Sequence, residues 1–388
     1  MHPVRICIRV GFVFLLLAVS SPTCEWTYLI WIPRSPLADP LYLFKEGDKV
    51  GYIDQTGKIV VPPVISGGGE FHDGLLENAA SSGVYLDRTG KKAINKQFYR
   101  GWAFSEGLAV AMETEGGKWG YINTKGDFAI SPRFASSPRD YVWPFEGGFA
   151  KIEIAGKYGY IDHIGALVVD TRFLDGDSFH DGLARVVVEG PCLRLPVEGE
   201  GGCGEAKLVP PGANEPASST ACKFTYVDKT GKIISEQRFD SALPFSEGLA
   251  PVRIGKLWGY INTAGIMVIP ARFNKAQSFS EGLGLVSENG LFGYVDHQGH
   301  FVIQPQFKNA ENFTDGRAVI GDQNTGFWYI DTSGKQAIPG KFLLASPFFK
   351  GIAHVKVLEA RSNPNLFSGT YAYIDTSGRR IFAYTSKN

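Results

Sequence analysis

The sequence predicts an all-β fold made of tandem repeats, on three observations. The phrase Phe-Ser-Glu-Gly-Leu begins at Phe245 and again at Phe279, which is 34 residues later. A phrase of Tyr, an apolar residue and Asp or Asn recurs nine times, each time with Gly five residues after the Tyr. The 27 Phe, 16 Tyr and 47 Gly are typical of strands separated by tight turns. The nine tyrosines are Tyr52, Tyr85, Tyr121, Tyr160, Tyr226, Tyr260, Tyr294, Tyr329 and Tyr373.

Each tyrosine phrase predicts a β-hairpin of two strands, which we name A and B. In the first repeat, Tyr52-Ile-Asp is followed by Gly57 and then by Lys-Ile-Val-Val. Asp and Asn side chains bond to the backbone of their own turn, and Gly accepts a positive φ, so the pair closes a tight hairpin. The acids at this position are therefore interpreted as turn-forming residues. Calcium sites need several oxygen ligands within one short segment.

A third strand, C, is predicted after each Phe-x-x-Gly phrase, as at Leu108–Val110. The interval from Tyr to this Phe is 19 residues in seven of eight repeats, which indicates one packed unit of fixed register. The interval from this Phe to the next Tyr varies from 14 to 47 residues, as in exposed loops. We expect these C-to-A loops to lie along one edge of the array, which is often the binding face of repeat proteins.

Two polar columns are interpreted as structural. His72-Asp73 and His180-Asp181 occupy the Ser-Glu position of Phe-Ser-Glu-Gly, so they predict a hydrogen-bonding turn and not a catalytic pair. A basic residue precedes the Phe that ends strand B, for example Arg172 and Arg272. We interpret this basic column as a solvated strand face that is paired with the Glu column of the turns.

An isolated repeat of about 34 residues would leave its aromatic side chains exposed to solvent, so neighbouring repeats must bury them. The preferred arrangement is a stack of three-stranded repeats in an open solenoid or superhelical array. The alternative is a closed, propeller-like ring. Ordinary propellers use about 4–8 blades of four strands, which three-stranded repeats fit poorly.

An aromatic residue stands two positions before the Tyr in seven of nine repeats, often with Gly between them. Trp-Gly-Tyr-Ile-Asn at Trp119, followed by a turn Gly and the Phe-x-x-Gly phrase, resembles the WG repeat family, also called KWG repeats. The resemblance covers residues 42–388. It implies an all-β repeat protein, usually bacterial, whose molecular role is poorly defined.

The N-terminus predicts a leader. Arg5 and Arg9 precede the apolar run Gly11–Val19, and the small residues Ser20 and Ser21 follow it. This order is typical of a secretory signal peptide over residues 1–20, with an uncleaved anchor as the alternative. Residues 21–40 are then a linker or cap, and residues 41–388 form the repeat array. The chain is predicted to be secreted, periplasmic or in the cell envelope, with membrane contact only through an uncleaved leader.

The cysteines of the exported chain are Cys24, Cys192, Cys203 and Cys222. Three of them lie in an inserted loop over residues 190–223, where disulfides are plausible in an oxidising compartment. Free thiols are the alternative. The spacing fits no zinc site, because no Cys-x-x-Cys pair is present.

Two groups of aromatic residues are candidates for binding. The insertion Ala135–Pro144 carries Arg139, Tyr141 and Trp143, which is the composition of an interaction hot spot. Trp119 and Trp258 belong to the aromatic column and could stack on sugars if exposed. Packing in the core is the preferred interpretation of this column, because large apolar rings fill the space between sheets.

These observations predict an exported, non-enzymatic scaffold that binds another protein or a cell-envelope polymer. The alternative is a carbohydrate-binding or cell-wall-binding array that uses exposed aromatic residues. Lys plus Arg and Asp plus Glu number 39 each, so no polybasic nucleic-acid surface is predicted. No catalytic residues, cofactor or metal site is predicted.

Overall fold

The computed structural model describes residues 40–77, 83–135, 141–190, 193–194, 208–209, 222–357 and 369–386. They form two compact units. Unit 1 comprises the described residues of Met1–Arg133, Gln323–Trp328 and Ala337–Asn388, and unit 2 those of Phe134–Asp322 and Tyr329–Gln336. The predicted leader at 1–20 and the linker up to residue 39 lie outside the described residues.

The described residues form strands, with no helix among them. No helix in these ranges is long and apolar enough to span a membrane. The first strands are β1 (Tyr42–Glu46), β2 (Lys49–Ile53), β3 (Ile59–Ser66), β4 (Phe71–His72), β5 (Leu75–Glu77), β6 (Tyr85–Leu86), β7 (Arg100–Gly101), β8 (Leu108–Met112), β9 (Trp119–Asn123) and β10 (Phe128–Phe134). They are followed by β11 (Tyr141–Glu146), β12 (Phe149–Ile154), β13 (Lys157–Ile161), β14 (Leu167–Phe173), β15 (Asp175–Gly176), β16 (Leu183–Glu189), β17 (Leu193–Arg194), β18 (Leu208–Val209) and β19 (Lys223–Asp228). The remaining strands are β20 (Ser241–Ala242), β21 (Leu249–Ile254), β22 (Leu257–Asn262), β23 (Met267–Phe273), β24 (Lys275–Ala276), β25 (Gly284–Glu288), β26 (Leu291–Val295), β27 (Phe301–Phe307), β28 (Ala318–Asp322), β29 (Gly326–Ile330), β30 (Phe342–Ala345), β31 (Ile352–Val357), β32 (Gly369–Asp375) and β33 (Arg380–Ser386).

The repeats form antiparallel sheets, with the last two repeats sharing the six-stranded sheet β28–β33, and the A–B hairpin is as predicted. In one repeat, Trp258 on β22 pairs with Phe273 on β23, and Tyr260 pairs with Ile269. In the turn between them, the Gly265 amide donates to the Asn262 carbonyl at 2.8 Å, and Gly265 has φ +76°. Tandem all-β repeats are therefore confirmed.

The repeat contains a fourth strand that the sequence analysis missed. A short strand precedes strand C, so that the sheets run β20-β21-β22-β23 and β24-β25-β26-β27 in hydrogen-bonded order. Lys275 and Ala276 on β24 pair with Ser287 and Val286 on β25. Two residues are too few to show a period of two, and the three-stranded expectation is corrected on this point.

The repeated tyrosine joins each sheet to the next repeat. Tyr260 is fully buried, and its hydroxyl donates to the Gln277 carbonyl, which follows the short strand of the next sheet, at 2.9 Å. The same bond, always to the carbonyl 17 residues later, is made by Tyr52, Tyr85, Tyr160, Tyr226 and Tyr294. The phenol buries its ring and satisfies a backbone acceptor at once.

Two further contacts link neighbouring repeats. The turn glycine of one repeat lies against strand B of the preceding one: a Cβ at Gly299 would be 2.8 Å from a side-chain carbon of Ile269 on β23. In the Phe-x-x-Gly turn, the Glu281 carboxylate accepts a hydrogen bond from the Gly316 amide of the next repeat at 2.8 Å. Asp73, Asp181 and Glu247 accept the equivalent bond. These acids all have positive φ angles near 50°.

The first and last repeats meet within unit 1. The Tyr373 hydroxyl of the last repeat donates to the Leu43 carbonyl on β1. The Tyr42 ring lies 5.6 Å from the Tyr373 ring, and the Tyr42 hydroxyl donates to the Phe349 carbonyl at 3.1 Å. A Cβ at Gly57 would be 2.8 Å from the Ile381 carbonyl oxygen of β33. Gly57 of the first repeat thus contacts strand B of the last repeat in the same way as other turn glycines contact the repeat that precedes them.

These contacts match the closed, propeller-like ring and not the open solenoid that the sequence analysis preferred. An open array would leave Tyr42 and Phe44 at a free end, whereas both are buried, at 2% and 4% exposure. Phe44 packs against Phe382 with ring centroids 5.0 Å apart. The strand β1 is strand C of the first repeat, and it pairs with β2. Side-chain contacts therefore join the first and last repeats, which do not share a sheet.

We expect Tyr260→Phe to lower the free energy of unfolding by about 1–2 kcal/mol, because it leaves the part-buried Gln277 carbonyl without its donor. Urea denaturation measures the change. Tyr99→Phe is the matched control, since Tyr99 is 42% exposed and its hydroxyl bonds only an exposed Glu115 carboxylate. Equal effects of the two substitutions would contradict a structural role for the buried hydroxyl.

Glu70 gives the contact between the end repeats a pH dependence. Burial raises the pKa of Glu70 to about 7, and its Oε2 atom has no hydrogen-bond partner among the described residues. Its charge also raises the pKa of Tyr52 and Tyr373, for which burial is the main cause. His72 lies 3.8 Å away, and burial lowers the pKa of that ring.

Because the pKa of Glu70 is higher in the folded chain, its ionisation opposes folding. The contribution of Glu70 to the free energy of unfolding is therefore greatest below about pH 4.5 and falls as the pH rises to about 7. We expect Glu70→Gln to gain about 1–3 kcal/mol relative to the natural chain between pH 5 and pH 8. Denaturation at both pH values, with the exposed Glu236→Gln as control, measures this. A difference that is constant with pH would contradict the assignment.

Candidate functional site

The insertion Ala135–Pro144 lengthens one short strand. β11 has six residues, where the equivalent strands β20 and β24 have two. It pairs with β12 through Tyr141 to Glu153 and Val142 to Ile152, and a bulge follows Val142. Arg139 lies outside the described residues, so its predicted role stays a prediction.

Trp143 packs inside unit 2 against a cation. The Lys151 ammonium lies 4.4 Å from the centroid of the Trp143 ring and 5.5 Å from that of Tyr158. The two rings are 5.6 Å apart. The Tyr158 hydroxyl donates to the buried Glu153 carboxylate at 3.1 Å. Trp143 therefore anchors β11 by cation–π contact and ring packing.

A charged network continues from Lys151. Its ammonium donates to the Gly176 carbonyl at 2.6 Å and lies 4.0 Å from the Asp175 carboxylate. Burial raises the pKa of Asp175, and Lys151 opposes this. Burial would also raise the pKa of Asp177, but Arg185, which contacts it at 2.6 Å, lowers it below its usual value. These charges are paired, which is a structural arrangement.

Four exposed side chains lie at one end of two sheets of unit 2. Tyr141 is 43% exposed and pairs across from Glu153, the neighbour of Ile154, which is 44% exposed. Ile254 and Leu257 are 40% and 38% exposed and face each other at the β21–β22 hairpin. We name Tyr141, Ile154, Ile254 and Leu257 the hairpin-tip residues. They lie at the C-to-A end of their sheets, where the variable loops were predicted.

The insertion at residues 190–222 extends from the C-to-A end of a third sheet. β16 and β19 pair through Glu189 and Lys223, and residues 190–222 connect them. Cys222 is 8% exposed and packs in the core beside Phe224. Cys24, Cys192 and Cys203 lie outside the described residues, so the pairing stays a prediction.

The residues of the aromatic column are buried or half-buried. Trp119 is 7% exposed, and its ring lies 6.1 Å from that of Trp102. Trp258 is half-buried and packs against the cluster that contains Tyr260 and Phe273. This is the core packing that the sequence analysis preferred for the column. No group of three His, Cys, Asp or Glu side chains suited to a metal ion is present among the described residues.

The arginines of the basic column whose hydrogen bonds the structure describes donate to backbone carbonyls and not to the Glu column. Arg172 donates to the Gly231 carbonyl, and Arg272 donates to the Gly299 carbonyl at 2.5 Å. Both arginines are exposed, as expected for a strand face. Each acceptor is the turn glycine of the next repeat, so the pairing predicted from the sequence is corrected.

The family follows from the repeats. The model of the WG containing repeat matches residues 51–77, 85–118, 119–158, 158–190, 224–258, 258–292, 292–321 and 329–358. The chain belongs to the WG repeat family. Each matched segment begins within two residues of a repeated tyrosine, which is the residue that joins one sheet to the next. No curated protein matches this WG repeat protein.

Solved structures are similar to this WG repeat protein to different degrees. A crystal structure titled as the eukaryotic initiation factor has a TM-score of 0.58 at 11% identity, covering 90% of this chain and 96% of that one. The computationally designed Ika8 protein has a TM-score of 0.38 at 11% identity, with 73% and 85% covered. Kluyvelomyces marxianus Hsv2 has a TM-score of 0.36 at 11% identity, with 62% and 77% covered. Only the first supports a shared fold.

Sequence reasoning missed the aliphatic hairpin-tip residues and Lys151. A signal for Ile254 and Leu257 exists, since the stretch Ile254-Gly-Lys-Leu257 places apolar residues on both sides of a turn. Turns normally carry polar residues at such positions. Lys151 carried no signal, because its contact with Trp143 depends on the pairing of two strands.

We expect Trp119→Ala to lower the free energy of unfolding by about 3–5 kcal/mol, because it opens a cavity in the core of unit 1. Tyr141→Ala is expected to cost less than about 1 kcal/mol, because Tyr141 is largely exposed. Urea denaturation compares the two. A Trp119→Ala chain of unchanged stability that loses binding to glycans would contradict core packing and favour sugar stacking.

Proposed function

We propose that this WG repeat protein is an exported, non-enzymatic scaffold that binds another protein or a cell-envelope polymer. The repeat family and the fold indicate a binding or scaffold role. The observation that carries the proposal is the exposure of the four hairpin-tip residues at the C-to-A end of their sheets in unit 2.

The chemistry of the hairpin-tip residues favours a partner with apolar surface. A tyrosine and three aliphatic side chains at 38–44% exposure would lose contact with water in a complex. Tyr141 is held on a strand whose neighbour Trp143 is fixed by Lys151 and Tyr158. An anchor that is already ordered costs little conformational entropy on binding.

The charge supports the same class of partner. The formal net charge is zero, with 39 basic and 39 acidic residues. Nucleic acid requires clustered positive charge for tight binding, so it is not the proposed partner. No cofactor or metal is part of the proposal.

Export rests on the leader pattern at residues 1–20 and on the disulfides predicted among Cys24, Cys192, Cys203 and Cys222. Disulfides form and persist mainly outside the cytosol. The proposed location is secreted, periplasmic or in the cell envelope. The carbohydrate-binding alternative is not carried further, because Trp119 is buried and Trp258 is half-buried.

Affinity capture from the cell envelope of the host tests the proposal. The full chain, recovered from the envelope fraction as export requires, is expected to retain a protein or polymer. The double variant Ile254→Ser with Leu257→Ser, and Tyr141→Ala, should each weaken retention about tenfold by removing buried apolar area. Protease treatment of the fraction separates a protein partner from a polymer.

Val302→Ser is the matched control, since Val302 is 50% exposed but lies on strand β27, away from the hairpin tips. It should retain the partner as the natural chain does. Loss of the partner with Val302→Ser, retention by all hairpin-tip variants, or recovery of the chain only from the cytoplasm would each contradict part of the proposal.

A further inference from the structure

A cleft lies where the first and last repeats of unit 1 meet. It has a volume of about 350 Å³ and is lined by Gln55, Thr56, Arg379, Arg380 and Ile381. Gln55 and Thr56 belong to the turn of the first repeat, Arg379 directly precedes strand B of the last repeat, and Arg380 and Ile381 begin that strand. The volume is at the lower end of those of small-molecule sites.

The two arginines of this cleft differ in their partners. The Arg379 Nε donates to the Asp375 carboxylate at 2.9 Å. Asp375 also accepts the Ser377 hydroxyl at 2.5 Å, and these bonds lower its pKa to about 2. Asp375 therefore stays ionised and held by its own turn.

The guanidinium of Arg380 has no ion-pair partner among the described residues. Its side chain is exposed at the rim of the cleft. In the facing turn, the Asp54 carboxylate accepts hydrogen bonds from the Thr56 hydroxyl and from the Thr56 and Lys58 amides. Arg380 is thus the one lining cation whose charge is not engaged by a described carboxylate.

We propose that this cleft binds an oxyanion, a carboxylate or a phosphate group, with Arg380 as the principal contact. A guanidinium presents a planar fork of donors that matches both groups, and charge-assisted bonds of this kind are strong. The terminal amino groups of Arg379 and the amide of Gln55 supply further donors at the rim. The Ile381 side chain contributes an apolar wall.

The site lies at the contact between the end repeats. Gly57 approaches the Ile381 carbonyl, and the strand β33 begins at Arg380, two residues after the turn glycine Gly378. In the second repeat, the equivalent position after Gly90 is Lys92, which is also exposed. Lys92 provides a cation at the same place in the repeat without the arginine fork.

Ligand-observed NMR of the full chain at low salt tests the proposal, with inorganic phosphate and a tetraglutamate peptide as the probes. The natural chain is expected to bind at least one of them. Arg380→Gln should weaken that binding about tenfold or more, and Arg380→Lys should weaken it less because the charge remains. Lys92→Gln should leave it unchanged. Phosphate binding alone indicates a phosphate ligand, and peptide binding alone indicates a carboxylate.

The proposal is overturned if the natural chain binds neither probe, or if Lys92→Gln weakens binding as much as Arg380→Gln. It is also overturned if Arg380→Gln has no effect. Urea midpoints of the variants show whether each remains folded, and Arg380→Lys supplies the comparison should Arg380→Gln unfold. The hairpin-tip residues lie in unit 2, so this outcome is independent of partner capture by that surface.

Discussion

The buried tyrosine hydroxyl is the interaction on which the rest of this WG repeat protein depends. A sheet of four short strands has too little apolar surface to be stable alone. The tyrosine solves two problems at one position, because its ring fills the space between sheets and its hydroxyl satisfies a carbonyl of the following repeat. The bond fixes the distance from Tyr260 to Gln277 at 17 residues. That constraint explains why the first part of each repeat tolerates so little change in length.

The other contacts between repeats act through backbone groups. The acid at a positive φ in the Phe-x-x-Gly turn accepts a glycine amide of the next repeat, as Glu281 does from Gly316. Arg272 donates to the carbonyl of Gly299 in the next turn. Backbone acceptors and donors are present at every repeat, so these bonds allow the side chains around them to vary. Variation is then concentrated at the C-to-A ends, where Tyr141, Ile254 and the connection 190–222 lie.

The contact between the first and last repeats uses the same tyrosine with a different acceptor. Tyr373 donates to Leu43 on strand C, because the first repeat has no described short strand before β1. The strand β33 begins with Arg380 at this contact, and partial burial raises the pKa of the nearby Glu70 to about 7. The first and last repeats therefore depart from the pattern of the other repeats at the place where they meet. The oxyanion cleft lies at this departure from the repeat pattern.

The sequence by itself determined the all-β class, the repeat, the A–B hairpins and the turns, since these follow from local chemistry at fixed spacing. It also located the insertion at Ala135–Pro144 and the core position of Trp119. The short strand at Lys275–Ala276 could not be predicted, because two residues carry no period. The meeting of Tyr42 with Tyr373, the pairing of Lys151 with Trp143 and the exposure of Ile254 beside Leu257 were decided only by the tertiary structure. Each joins residues through strand pairing or packing between repeats, and no local pattern in a repeating chain records which copies become neighbours.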